Sequence, residues 1–524
     1  MTTTATTKLT AAGLGLLAAA SGVAASSGVA ALTGTPSPII SVGNRFILLT
    51  PGWLKDFAIE QFGTNDKPVL IGGVVAAIAI LAAVAGLLAL SRPRVAVGIT
   101  AALGLVALLA AVTDGTTDAN IVQKALPGLV ALVVSVGALV LLFSEYRRRT
   151  DEKTHVLLDA HPGDDLPAGF DRRRFLTVVL GTGAVLVLGG AVGRFLGGGA
   201  ASASRSSITI PRPAVPAPAV PAGVQADVTG ISRYLTRNRD FYRIDTALQV
   251  PDVPADTWSI RIHGMVDNEL NLSFADVLDR RLVESRITLT CVSNQVGGPY
   301  VGNASWIGVP LQELLAEAGV QDGADAVKST SADDMTIGTP LEAMTDDRGS
   351  LLAIAMNGEP LPLEHGFPAR LVVPGLFGYV SATKWVVDLE VTRFQDFEAY
   401  WTPRGYSEKA PIKFSSRIDV PKAFQTFPRD AVRVGGVAWA QTVGIQTVEV
   451  QVDDSDWSEV TLATQDNVNT WRQWSWEWQD ATPGNHTLRV RATNGDGETQ
   501  TSDRASVRPD GSTGWHSIQF RVED

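Results

Sequence analysis

The stretch Ile287-Thr-Leu-Thr-Cys291-Val-Ser-Asn294-Gln295-Val-Gly297-Gly298 carries the densest chemical signal in the chain. Ile287 to Thr290 alternates apolar and polar residues among β-branched side chains, the pattern of a strand. The strand delivers a cysteine, and a glycine-rich loop follows that lets a bulky ligand approach backbone amides closely. A strand end holds a sulfur rigidly and aims it. Cys291 is the one cysteine among 524 residues. On these residues alone two readings of it stay open. A thiolate is a soft ligand, suited to a metal that also takes sulfur donors. A lone cysteine is also a small buried hydrophobe with no chemistry.

Outward from this stretch, Trp258 to His263 and Leu371 to Val373 read as strands. Phe274 to Leu282 and Leu311 to Ala318 read as short helices, the first with Ser273 as its cap. Residues 229–400 are therefore expected to be mixed α+β. Within them NGEPLP (357–362) runs into HGFPARLVVPG (365–375). His365 and Arg370 suit an anionic group, the guanidinium offering a planar fork and the imidazole a switchable donor. In SATKW (381–385), Ser381, Thr383 and Lys384 place two hydroxyls and an ammonium together, a set that suits a phosphate. Taken singly, each of these residues is as well explained by a surface ion pair or a turn hydrogen bond.

Residues 401–524 differ in texture. Thr447 to Val452, His486 to Arg491 and Ser517 to Val522 alternate at period two between Asp, Gly, Asn or Pro turns. This predicts an all-β sandwich. Trp471, Trp474, Trp476 and Trp478 fall on one strand, where those at even spacing share a face and fill the core. A carbohydrate-binding platform is the functional alternative for that aromatic run.

The first two hundred residues carry the apolar excess behind a mean hydropathy of +0.13. Five apolar runs, at 11–32, 68–91, 95–113, 125–144 and 175–196, approach the ~20 residues a bilayer-crossing helix needs. The first, rich in Ala, Gly and Ser, also reads as a cleavable signal peptide. Lys8, Arg92, Arg94, Arg147, Arg148, Arg149, Lys153, Arg172, Arg173 and Arg174 fall on one side of these spans. Arg45, Lys55, Lys67 and Lys124 fall on the other, which puts the amino terminus inside and all that follows the fifth span outside. Asp171-Arg-Arg-Arg-Phe-Leu176 resembles a twin-arginine export signal, and serves equally as an ordinary cytoplasmic anchor. Residues 199–228 read as a linker; at ~3 Å per residue its proline-rich run 211–223 would hold a domain about 40 Å off the membrane.

Composition narrows the function classes. A net charge of -11 argues against nucleic acid as partner. One cysteine excludes an internal disulfide, an iron–sulfur cluster or an all-cysteine zinc site within the chain. The apolar runs hold almost no polar or ionisable residues, against a transporter or channel. All six histidines lie outside those runs, so the membrane region is expected to carry no haem.

The clusters together resemble the sulfite oxidase family of molybdopterin-dependent oxidoreductases, in its membrane-anchored bacterial form. Asn238-x-x-Phe-Tyr242-Arg243, the TLTC strand with C-x-x-N, Trp306-Ile-Gly-Val-Pro-Leu311, the 357–375 cluster and SATKW occur in the family's order. Gly436-Val-Ala-Trp439, Val448 to Val452, Trp471 to Trp476 and Gly514-Trp-His516 resemble its immunoglobulin-like dimerisation domain. The resemblance implies a chain of several domains: an anchor of transmembrane helices over 1–198, the linker, a molybdopterin domain over 229–400 and an immunoglobulin-like sandwich over 401–524. It implies that Cys291 binds molybdenum beside the dithiolene of one molybdopterin, with Asn294 at the catalytic end of the same loop. Asn238, Tyr242, Arg243, His365, Arg370, Ser381, Thr383 and Lys384 would contact the pterin and its phosphate. The metal would pass between Mo(VI) and Mo(IV) by oxo transfer to a small-molecule substrate. Electrons would be exchanged with a separate carrier, a quinone-linked membrane protein or a cytochrome, and residues 401–524 would support a homodimer. One departure matters: the family's usual arginine after the asparagine is Gln295 here, followed by neutral Val296, Gly297 and Gly298. An S- or N-oxide substrate is therefore expected ahead of sulfite. A cofactor-free binding protein on the same fold is the alternative from another class.

Overall fold

The computed structural model describes residues 5–50, 54, 61–62, 66–114, 119–159, 199–429, 432–479 and 481–523. The twin-arginine stretch and the fifth apolar run lie outside the described residues. The chain divides into two compact units, one of residues 1–199 and 247–250, the other of 200–246 and 251–524.

The first unit is helical. Helices α1 (Ala5–Thr33), α2 (Pro38–Leu49), α3 (Asp66–Ala89), α4 (Pro93–Thr113) and α5 (Ile121–Asp159) follow in order. Four of them, all but α2, are long and apolar enough to cross a membrane. Glycines set the crossing of α1 and α3: a methyl group at Gly15 would fall 2.2 Å from the Ala82 carbonyl oxygen, and one at Gly86 2.2 Å from that of Ala11. Small residues at such crossings let backbones pack closely where lipid offers no hydrophobic drive. The sequence reading did not foresee α2. It spans only 12 residues and is interrupted by Asn44 and Arg45, so it falls short of a spanning run.

The second unit opens with α6 (Ala200–Ser207) and the proline-rich run. The expectation of a free spacer needs correction. Arg205 hydrogen-bonds the carbonyls of Pro360 (2.8 Å) and Leu361 (2.8 Å) and pairs with Glu359. Val215 bridges Val283 in parallel, and the Glu284 N–H donates to the Val215 carbonyl at 2.9 Å. An extended, proline-rich strand can satisfy its few polar groups along a sheet edge as well as in water; here it takes the edge.

Two sheets build residues 259–392. In the first, β1 (Ser259–Gly264) lies between β2 (Leu270–Ser273) and β10 (Val386–Thr392), and β5 (Ala326–Ser331) and β6 (Thr336–Pro340) extend beyond β10. Only β1 and β10 run parallel in it. The second is antiparallel, in the order β3 (Val283–Thr290), β4 (Val301–Pro310), β7 (Leu351–Met356) and β8 (Glu359–Pro360), with β9 (Arg370–Val372) beside β7. Every residue of β7 is buried; each Leu, Ile or Met so placed contributes about 1.5–3 kcal/mol relative to exposure. The short helices are α7 (Phe274–Leu278), α8 (Leu311–Ala318) and α9 (Leu341–Thr345). Ser273 and Asp276 close a capping box on α7, as expected of its cap. The mixed α and β character expected for this region is present.

Beyond residue 410 two sheets face each other. One runs β11 (Ser415–Val420), β13 (Arg433–Trp439), β17 (Arg472–Glu477), β16 (Thr461–Leu462). The other runs β12 (Thr426–Pro428), β19 (His516–Glu523), β18 (Gly484–Asn494), β14 (Ile445–Val452), β15 (Ser458–Glu459). Val434, Val448, Trp474, Leu488 and Phe520 share their core, with Trp476 and Trp478 packed on it. The even-spaced tryptophans thus share the expected face. Trp471 belongs instead to the core of the preceding sheets and donates its indole N–H to the Tyr234 carbonyl at 3.0 Å.

Candidate active site

Strand β3 ends at Thr290, and Cys291 follows it into a tight turn. The Cys291 N–H donates to the Tyr300 carbonyl (3.0 Å), the Asn294 N–H to the Cys291 carbonyl (3.0 Å), and the Tyr300 N–H to Asn294 Oδ1 (2.8 Å). Asn294 is buried in that role, as the knot of the loop, while Gln295 stands exposed beside it. Cys291 is buried. Burial pushes its thiol up from the ordinary range; hydrogen bonds from Ser293 and the Lys384 ammonium pull the other way. The neighbouring Thr290 Oγ1 is buried with no hydrogen-bond partner.

Around this thiol the predicted residues fall into two groups. The first links Asn238, His365 and Arg370. His365 Nε2 meets the Asn238 carbonyl at 3.0 Å; a carbonyl only accepts, so that nitrogen carries the proton. Burial lowers the His365 pKa to about 4, and the charges of Arg370 and Lys384 add to the shift, so the ring is neutral at pH 7. Arg370 is buried, lies 5.1 Å over the Trp306 ring and donates to the carbonyls of His365, Leu371 and Ala382. Among the described residues no carboxylate forms an ion pair with it, and burial lowers its pKa to about 10. An uncompensated buried cation is costly unless an anion joins it. Tyr242 stacks on Phe241 with centroids 5.2 Å apart. Its hydroxyl is held protonated by burial, reinforced by the nearby sulfur of Cys291 and opposed by Arg370.

The second group centres on a residue that sequence reasoning missed. Asp245 Oδ2 accepts from Lys384 Nζ (2.7 Å) and from Arg243 Nε (2.9 Å), and its side chain is only 3% exposed. Its signal was its place two residues after Arg243 in FYRID. Asn357, which opens the NGEPLP cluster but has no role of its own in the sequence reading, donates its Nδ2 to Asn238 Oδ1 and the Thr236 carbonyl, each at 2.8 Å. The hydroxyls predicted for a phosphate have internal partners. Ser381 Oγ donates toward the carbonyls of Leu376 and Phe377, and Thr383 Oγ1 shares a proton with Ser329 Oγ at 2.6 Å. The donor set fits a bulky anionic cofactor carrying a thiophilic metal: a directed buried thiol, an unpaired guanidinium and an orphaned hydroxyl stand in one neighbourhood. Among the described residues no three His, Cys, Asp or Glu side chains gather to hold a metal by themselves.

Fold and site define a molybdopterin-binding oxidoreductase. A family profile described as the oxidoreductase molybdopterin binding domain matches residues 247–401. The uncharacterized oxidoreductase YuiH of Bacillus subtilis (strain 168) is 35% identical over 163 residues, covering 30% of this chain and 79% of that protein. Human mitochondrial sulfite oxidase is 28% identical over 295 residues, covering 48% of this chain and 53% of the human protein. The chain belongs to the sulfite oxidase family of molybdopterin-dependent oxidoreductases. It spans about half the length of the mitochondrial sulfite oxidases it matches. Among solved structures, the sulfane dehydrogenase SoxCD from Paracoccus pantotrophus aligns with a TM-score of 0.46 and 23% identity, over 53% of this chain and 81% of that one.

Proposed function

We propose that this protein is a membrane-anchored molybdopterin oxidoreductase whose catalytic domain faces outward and which transfers oxygen at an S- or N-oxide centre. The observation that carries the substrate class is the loop after Cys291. Where the family usually places an arginine, an exposed neutral Gln295 stands, followed by Val296, Gly297 and Gly298. A neutral amide donates a hydrogen bond to an oxide oxygen without demanding an anion. Bound through Cys291, molybdenum would supply two-electron oxo transfer. The chain's own part is binding and orientation. Asn238, Tyr242, Arg243, His365, Arg370, Ser381, Thr383 and Lys384 would hold the pterin and its phosphate, with Arg370 bringing the unpaired charge. Protonated Tyr242 would act as a donor there, while neutral His365, its Nε2 proton held by the Asn238 carbonyl, would offer Nδ1 as an acceptor. The four apolar helices support the anchored reading; the outward-facing one rests on the ten-to-four bias of basic residues together with a crossing by the fifth apolar run, 175–196. The facing sheets beyond residue 410 support an immunoglobulin-like sandwich and a homodimer through it. Electrons would be exchanged with a separate quinone-linked membrane protein or cytochrome.

Steady-state turnover with methionine sulfoxide, N-oxides, nitrate and sulfite tests the substrate class. Turnover of a neutral oxide at a kcat/KM above that for sulfite is expected. Efficient sulfite oxidation with inert oxides would make the chain a sulfite oxidase proper.

A further inference from the structure

The loop that follows Cys291 is closed on itself by Asn294 and by a turn in which the Gly298 N–H donates to the Gln295 carbonyl at 2.8 Å, and residues beyond 410 grip it from outside. Ser512 Oγ donates to the Asn294 carbonyl at 2.7 Å. Arg417 Nη1 donates to the Gly298 carbonyl at 3.0 Å, while its Nε is fixed by Asp419 at 2.8 Å and its Nη2 by Ser232 Oγ at 3.0 Å. His516 Nδ1 accepts the Ile418 N–H at 2.9 Å, which sets the ring against Gly297. A methyl group at Gly297 would lie 2.2 Å from the His516 ring, and Gly297 also has φ +80°, so only glycine fits there. The strand leading into the cysteine is held from the same side. The Thr288 N–H donates to the Asn469 carbonyl at 3.0 Å, Thr288 Oγ1 accepts the Trp471 N–H at 2.8 Å, and Gln441 Nε2 donates to the Thr288 carbonyl.

We propose that Ser512, Arg417 and His516 are positioning residues for the active site, fixing the 294–298 loop so that Gln295 keeps its place relative to Cys291. The C-terminal sheets are then part of the substrate pocket's construction in each chain, apart from any contact they make between chains. This rests on the reading of Cys291 as metal ligand and of Gln295 as substrate wall. The physical reason is the loop's composition. With two glycines and a valine after Gln295, few side chains define its conformation, so the turn from Gln295 to Gly298 takes its position relative to Cys291 from what grips its backbone at either end. Three separate grips, on Asn294, Gly297 and Gly298, leave it one.

The test uses the full chain in two forms, cofactor-free and loaded. In cofactor-free protein, the rate of Cys291 alkylation by iodoacetamide reports how often the loop opens. Losing one buried hydrogen bond is expected to raise that rate about tenfold in Ser512→Ala and in His516→Ala. His516→Asn, which keeps an acceptor for the Ile418 N–H, should restore most of the wild-type rate. His486→Ala serves as control. That histidine is buried in the same sheets but bonds only Asp453 and the Thr482 carbonyl, so its loss should leave the rate alone. In loaded enzyme, molybdenum content should hold in Ser512→Ala while KM for the oxide substrate rises with kcat less affected. Alkylation rates equal to wild type in both loop variants, or a rise shared equally by His486→Ala, would overturn the proposal. The alkylation arm needs no metal, so failure of the molybdenum reading is visible separately from failure of the clamp.

Discussion

His516 touches no atom expected to react, yet its titration is written into stability. Burial lowers its pKa to about 4, the positive charges of Arg417, Arg504 and Lys422 add to this, and Asp419 opposes them. The unfolded chain takes up the proton near the ordinary value of about 6.5. The folded state therefore binds fewer protons between those values, and stability present above about pH 6.5 is lost as pH falls through about 4. His365 has the same sign and the same window. Thermal unfolding followed at pH 7 and pH 5 should show a smaller acid loss in His516→Asn than in wild type. An equal loss would mean that the ring is protonated as easily folded as unfolded. Residues of this kind were the least legible in the sequence. Cys291, His365 and Arg370 stood out because their chemistry is rare or their motif dense. Asp245 did not, and Asn357, though it opens the NGEPLP cluster, showed no role of its own, because what makes them matter is a partner 139 or 119 residues away along the chain.

At the scale of elements, strand β3 leads into the cysteine and is pinned by a buried ion pair. Arg286 in β3 binds Asp466 from beyond it through two nitrogens, with side chains 6% and 3% exposed. Tyr234 donates its hydroxyl to the same carboxylate at 2.6 Å. Burial alone would raise the Asp466 pKa, but the hydrogen bonds from Arg286 and Tyr234 outweigh it and hold the carboxyl below its ordinary range. Removing one partner strands the other in a dry site, so Asp466→Ala is expected to cost about 3–5 kcal/mol. The pair of half-buried Arg280 with exposed Glu317, on the same unit, should cost no more than about 1 kcal/mol on Glu317→Ala. Chemical denaturation of the two variants distinguishes them, and equal midpoints would show that the buried pair is not what holds β3. The local elements were legible: the Ser273 cap, the helix over 311–318 and the period-two strands each follow from spacing within a few residues. The proline-rich run was not. Its composition fits a free spacer and an edge strand alike, and the bridge from Val215 to Val283 decides between them.

At the scale of the whole molecule, the sequence divides cleanly by hydropathy, and the four long apolar helices fall where the first four runs predicted them. Short α2 was hidden because spanning length was the only criterion that hydropathy offered there. What the candidate site gathers is residues far apart in the chain: Asn238 and Tyr242 before β1, Cys291 after β3, and His365, Arg370 and Lys384 around β9. That convergence depends on contacts between distant residues and is read from motif order in the sequence only through family resemblance. The claim on which everything else depends is that Cys291 ligates molybdenum. X-ray absorption at the molybdenum edge of the purified full chain, beside Cys291→Ser, measures it most directly. The wild type should hold molybdenum near one atom per chain, and the serine variant should show one sulfur neighbour fewer at the metal, or lose the metal, while folding normally. Serine is nearly isosteric with cysteine but a much harder ligand. An unchanged sulfur count in Cys291→Ser, or wild-type protein that takes up no molybdenum when made in a host supplied with it, would contradict the assignment.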